Sequence, residues 1–199
     1  MGGRGSASTL NASRVAERVS AYRVSVIRQE DKIRNNDYET AALIDQNGKV
    51  IFTESQGSPD EVNFTAEQCR KMKGRILTHN HPNGSVFSDA DIDLLVSCKL
   101  AVIRATSANV TYQLQAEPGI FISRRTFAKD YLKVLDANDA AAIPKADSLH
   151  NAYKNGRITR TEYIKRLDEL EQEVWKQDSD WMMKNARKYG YRYSVIGGK

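Results

Sequence analysis

The chain has 199 residues, 40% hydrophobic and 28% charged with a net charge of +5, enough for one globular domain of about 100–150 residues plus additional segments. It holds no apolar run near the roughly 18 residues of a membrane span, and its opening MGGRGSASTLNAS lacks the apolar centre of a secretory signal. Cys69 and Cys98 stand far apart without a C-x-x-C spacing, so neither a disulfide framework nor a thiolate zinc site is expected, and a reducing cytoplasm is the expected compartment.

Residues 1–10 are Gly-, Ser- and Arg-rich with little to bury, and disorder is expected there. Their M-G-x-x-x-S opening fits N-myristoylation, a pattern short enough to arise by chance. Over 11–36, Val15, Val19, Tyr22 and Val26 recur at spacings of four, three and four, which predicts an amphipathic helix ending near Arg34. Thr40–Ile44 and Lys49–Thr53 read as strands joined at Asn47-Gly48, a strong hairpin signal. Thr65-Ala-Glu-Gln68 is a capping box with Phe64 as its hydrophobic staple, opening a helix that stops at Gly74. Arg75–Thr78 reads as a short buried strand running into His79, Ser88 to about Lys99 as a helix, and Ala101–Ala105 with Val110–Gln115 as a further strand pair. Arg124–Leu135 is a predicted helix and Asp136–Pro144 a predicted connector. After a second capping box at Thr159–Glu162, the helical spacing of Ile164, Leu167, Leu170 and Val174 predicts one long charged helix or a helical hairpin, with Trp175 and Trp181 available to the core. The tail SVIGGK resembles the Gly-Gly end of ubiquitin-like proteins, and a frayed terminus explains it more simply.

Chemistry concentrates at His79-Asn80-His81. On a strand, residues two apart share a face, so both imidazoles point together and form half of a tetrahedral zinc site. Asp91, ten residues after His81 and one turn into the next helix, is the candidate third ligand, leaving a fourth position for water. A general base must lie close without ligating; Glu39, at the start of a strand able to run beside Arg75–Thr78, is the candidate. Ser88 offers a hydroxyl to a developing oxyanion.

Glu, a strand, H-x-H-P and then S-x-x-D resembles the signature of the JAMM (MPN-plus, JAB-domain) metallopeptidases, and the wording HNHPNG is similar to the RadC-type and phage-associated branches. The resemblance covers about residues 38–116. It implies an α/β (α+β) fold, a mixed curved sheet flanked by helices with cytidine-deaminase-like layering. It also implies Zn2+ on His79, His81 and Asp91, Glu39 as acid/base, Ser88 as oxyanion donor, and a polypeptide substrate, ubiquitin-like or phage proteins among the options. Six residues lie between His81 and Ser88, one fewer than the usual seven. On this reading 37–140 is the zinc hydrolase domain, and 141–199 is a connector and helical extension.

Plainer readings stand beside these. Ser88-x-x-Asp91 is also a complete helix cap. Asp89 suits the helix dipole, and Asp93 is expected to face away. Only strand position separates Glu39 from Glu54 and Glu61, and His150 reads as a surface histidine. The charge is uneven: seven Lys/Arg against three acids in 1–36, and eleven against seven in 151–199, flank a mildly acidic middle. The rival function is therefore a catalytically silent JAB-fold binding or assembly module, its basic arms engaging nucleic acid or a phage structural partner.

Overall fold

The computed structural model describes residues 22–117 and 124–197; Val15, Val19, the 1–10 tail and the myristoylation pattern lie outside them. Residues 22–33 form helix α1. The hairpin follows as β1 (Ala41–Ile44) and β2 (Val50–Glu54), paired antiparallel. Its turn is closed by Asp45 Oδ1, which accepts from the N–H of Asn47 and of Lys49, and by Gly48 at φ +83°. Helix α2 (Ala66–Met72) opens on the reciprocal Thr65–Gln68 capping box. Next come β3 (Ile76–Asn80), α3 (Asp89–Ser97), β4 (Val102–Thr106) and β5 (Val110–Ala116).

Helices α4 (Arg124–Lys154) and α5 (Arg160–Asn185) form an antiparallel pair, followed by a 3-10 turn (Ala186–Tyr189) and β6 (Tyr191–Gly197). Contacts at 138/178, 145/173 and 153/163 set the direction of the pair. The six strands make one mixed sheet of order β2-β1-β3-β4-β5-β6, in which only β3–β4 is parallel. That parallel step requires a crossover, and α3 supplies it.

Alternation along the strands divides the core. Leu43, Leu77, Ile103 and Leu114 face α2 to α5, where Met72, Ile92, Leu95, Phe127, Tyr131 and Met182 meet them. Ile44, Ile76 and Val102 face α1 and pack on Val26. Each large aliphatic side chain buried this fully contributes about 2 kcal/mol. Trp181 stacks on Phe127 and Tyr189, and Trp175 packs at the margin of the larger cluster, the use expected of both.

Four expectations need correction. Asp136–Pro144 is not a connector but the middle of α4, so a boundary at 140 falls inside a helix. Ala137 and Ala140–Ala142 are strong helix formers, and Asn138 and Lys145 bond to Asp178 and Glu173 of α5 on either side of Pro144. These contacts offset the helix bond that the proline removes. As far as Gly197 the tail is not frayed: Tyr191–Gly197 pairs along the whole of β5, and Gly197 sits at φ +77°, where a Cβ would meet the Asn109 carbonyl oxygen at 2.7 Å. The 141–199 extension therefore contributes a strand to the sheet. Lastly, Cys69 and Cys98 are disulfide-bonded, Cα–Cα 5.0 Å, because the last turn of α2 lies against the end of α3. A separation of 29 residues hides that proximity in the sequence. Among the described residues no helix is long and apolar enough to cross a membrane.

Beneath α1 lies a buried ion pair. The Glu30 carboxylate accepts from Arg104 Nε at 2.5 Å and Nη2 at 3.1 Å, and from Thr78 Oγ1 at 3.0 Å. Its side chain is 2% exposed and that of Arg104 11%. Arg104→Leu is expected to lower stability by about 3–5 kcal/mol in urea denaturation, because it leaves a buried carboxylate without its cation. Glu30→Leu/Arg104→Leu should recover most of that loss, and an Arg104→Leu protein as stable as the parent would contradict the assignment.

Candidate metal centre

Register brings the site together. β3 is flanked by β1 and β4, with Ala41 opposite His79 and Ala105 beside it. Leu77 and His79 therefore share the face of the larger core, while Ile76 and Thr78 face α1. His81 leaves the strand with its N–H on the Thr106 carbonyl at 2.9 Å, which keeps it beside His79. Continuing the β1–β3 ladder one step past Thr40 sets Glu39 opposite His81, on the same face.

The turn after His81 carries the third ligand. Gly84, at φ +85°, donates its N–H to the His81 carbonyl at 3.0 Å. Val86 and Phe87 are buried, and Tyr131 of α4 donates its hydroxyl to the Phe87 carbonyl at 2.8 Å. This fixes the start of α3. Ser88 caps it through a reciprocal box with Asp91: Ser88 Oγ accepts from Asp91 N at 3.2 Å, while Ser88 N and Oγ donate to Asp91 Oδ2 at 2.8 and 2.9 Å. One residue thus caps the helix and aims its carboxylate at the histidines.

His79 Nε2 lies 2.9 Å from His81 Nε2 and 3.0 Å from Asp91 Oδ1, and His81 Nε2 lies 3.5 Å from Asp91 Oδ2. The three residues offer ligand atoms all within 4.8 Å of one another, close enough to hold a metal ion. Tetrahedral ligands at zinc distances sit about 3.3 Å apart, so the donor set fits such an ion. The two imidazoles differ in how their second nitrogen is held. His81 Nδ1 donates to the Ser85 carbonyl at 2.9 Å, with Ser85 Oγ at 3.0 Å, so once the ring is neutral its lone pair is on Nε2. His79 Nδ1 is buried without a hydrogen-bond partner among the described residues, and a cation at Nε2 would set the ring proton on that unpaired atom. Glu39 Oε1 stands 3.6 Å from His81 Nε2, beside the trio and not part of it.

Burial alone would raise the Asp91 pKa, but the two imidazoles, His79 foremost, hold it well below the usual carboxylate range. Burial pulls His81 down, yet the hydrogen bond and charge of Asp91, with the Ser85 carbonyl and Glu39 behind them, push it up to about 9. Glu39 is raised by burial, an effect the two histidines only partly offset.

The cleft over the site is about 550 Å³ and brings together all five expected residues, Glu39, His79, His81, Ser88 and Asp91. Asp89 turns to its own helix start, its Oδ1 accepting from Ala90 N, and Glu54 accepts from Gln56 and Gln68. Glu61 and Asp93 line the cleft without joining the ligand trio; for Asp93 this corrects the expectation that it faces away. His150 is exposed on α4 with its ring edge towards Tyr163. Sequence reasoning missed Ser85, Asn80 and Tyr131, which hold the functional groups through carbonyl and amide contacts that carry no motif. Comparison with protein-family models, curated proteins and solved structures returned no match for this chain.

Metal ligation requires a neutral imidazole, so proton release should accompany uptake. With His81 raised from 6.5 to about 9, the metal-free protein holds its extra stability below pH 6.5 and loses it as pH rises towards 9. Affinity for a divalent metal should rise in the opposite sense, about tenfold per pH unit over that window. Calorimetric titration at three pH values in buffers of different ionisation enthalpy measures both trends, and a flat affinity would count against ligation by His81.

Proposed function

We propose that the protein is a zinc-dependent amide hydrolase of the JAMM type, with a JAB/MPN-like fold, acting on a peptide or isopeptide bond. The observation that carries this reading is the disposition of four side chains. Two imidazoles and a carboxylate converge on one point, and a fourth, half-buried acid stands beside them without joining them. Two nitrogens and one oxygen suit zinc and leave a position open, as catalytic sites do.

Zinc held by His79, His81 and Asp91 would supply Lewis acidity and make the attacking water more acidic. Glu39 takes the proton of the attacking water at its carboxylate and hands it to the leaving amine. Its raised affinity for a proton, a consequence of burial, suits it to both halves of that transfer. Ser88 gives its hydroxyl to the oxygen of the scissile carbonyl, exchanging the bond it makes to Asp91 for one to substrate. His81 is held by Ser85, so the ligand frame stays fixed while the proton moves. The cleft admits a polypeptide substrate, a ubiquitin-like or phage protein among the candidates. The cytoplasmic setting expected with this reading would expose the Cys69–Cys98 bond to thiol reductants.

Elemental analysis of the purified protein should find about one zinc per chain, lost in His79→Ala/His81→Ala. Glu39→Gln should keep the metal and lower turnover on a peptide library about 10²–10⁴-fold. Wild-type turnover in Glu39→Gln would remove the base assignment. Zinc binding without cleavage of any peptide, together with strongly salt-dependent DNA binding, would favour the non-catalytic binding module.

A further inference from the structure

The middle residue of His79-Asn80-His81 points away from the ligands, and its side chain is fully buried. Its amide is committed to a single segment. Oδ1 accepts from Thr40 N at 2.8 Å, while Nδ2 donates to the carbonyls of Asn36 at 3.2 Å and Tyr38 at 3.0 Å. These three contacts bracket Glu39 on both sides along the chain. At this end of the ladder Asn80 N still donates to the Thr40 carbonyl at 3.3 Å, but Thr40 N takes the side-chain oxygen in place of a backbone one. The amide thus replaces half of a strand pair at the point where β3 turns off with His81 towards β4. Asn36 Nδ2 adds a bond to Thr40 Oγ1 at 3.1 Å, which closes the segment on itself.

We infer that Asn80 is a positioning residue for Glu39: its buried amide fixes residues 36–40 so that the Glu39 carboxylate stands beside the metal ligands. The inference rests on the proposed role of Glu39 as the base. A carboxylate on a strand-leading segment has no register of its own until its backbone is held. From the other side Glu39 N donates to the Ser58 carbonyl at 2.7 Å, and Ser55 Oγ donates to the Glu39 carbonyl at 2.8 Å. Both of those partners come from the 55–63 loop, whereas Asn80 belongs to the strand that carries both histidines. It is therefore the direct mechanical link between base and ligands, and a displacement of about 1 Å there is enough to cost a hundredfold in rate.

The test uses the full zinc-loaded chain with Asn80→Asp, which keeps an acceptor for Thr40 N and sets a carboxylate oxygen against the two carbonyls. Asn80→Ser is the second variant, should the first not fold. The expected result is unchanged zinc content, KM within twofold, kcat lowered ten- to a hundredfold, and no further loss of the residual rate when combined with Glu39→Gln. Apart from activity, amide exchange at Thr40 should accelerate in Asn80→Ser, whose shorter side chain withdraws the acceptor from Thr40 N. The paramagnetic shift that cobalt(II) at the site imposes on labelled Glu39 should shrink in either variant. Equal fractional losses with and without the Glu39 carboxylate would overturn the inference, as would an unchanged Glu39 shift, loss of metal together with rate, or failure of both variants to fold. If the parent binds metal but cleaves nothing, the hydrolase reading fails by itself, and the cobalt shift alone decides whether Asn80 places Glu39.

Discussion

Everything in the site depends on β3 being an interior strand held in one register from both sides. Side chains alternate with period two, so a slip of one residue would turn His79 and His81 towards α1 and the Glu30–Arg104 pair, and Thr78 and Asn80 towards the cleft. Antiparallel pairing to β1 and parallel pairing to β4 oppose that slip, as does the chemistry of the two faces. Thr78 is required on the α1 side as a donor to Glu30, and Leu77 is required on the other side among α2, α3 and α4. The polar pair under α1 and the apolar cluster over the sheet thus act together on two histidines that belong to neither.

The segment after β3 meets a different demand. The chain has six residues in which to leave the sheet, turn, and start a helix whose third residue faces back to the strand. Gly84 permits the turn, Val86 and Phe87 anchor it by burial, and Tyr131 ties its last carbonyl to α4. A helix far along the chain therefore contributes to the placement of Asp91 through the Phe87 carbonyl. The same helix pair ends by returning β6 to the sheet beside β5, so the C-terminal segment braces the core at its edge and at its face.

Much of this was legible in the sequence. The hairpin, the capping boxes at Thr65 and Ser88, the short buried strand into His79 and the long α5 each have a local cause, and each is present. His79, His81 and Asp91 could be brought together on paper because strand alternation and helix capping are rules of position. Glu39 required knowledge of which strand lies next to β3, which the sequence suggests only by order. Failures came where a distant partner decides the outcome. Pro144 argues for a break until α5 is packed on both sides of it, Ser194–Gly197 looks like a loose end until β5 offers an edge, and Cys69 and Cys98 look unrelated until α2 and α3 converge. Asn80 and Ser85 act through backbone groups, and a contact to a carbonyl leaves no trace in residue identity.

The cross-link has a thermodynamic side that the folded geometry conceals. Cys69 and Cys98 enclose β3 and the whole of α3, so His79, His81 and Asp91 all ride on one covalent ring with a span of 29 residues. Closing a ring of that size lowers the chain entropy of the denatured ensemble by the equivalent of about 3–4 kcal/mol. The denatured chain then keeps three donors in confinement and presents them to a cation at a raised local concentration. A metal that binds both ensembles stabilises the folded one only by the difference. Oxidised protein therefore starts from greater stability and gains less from a given metal concentration than reduced protein, so cross-link and ion are partly redundant ways of restricting the same stretch of chain.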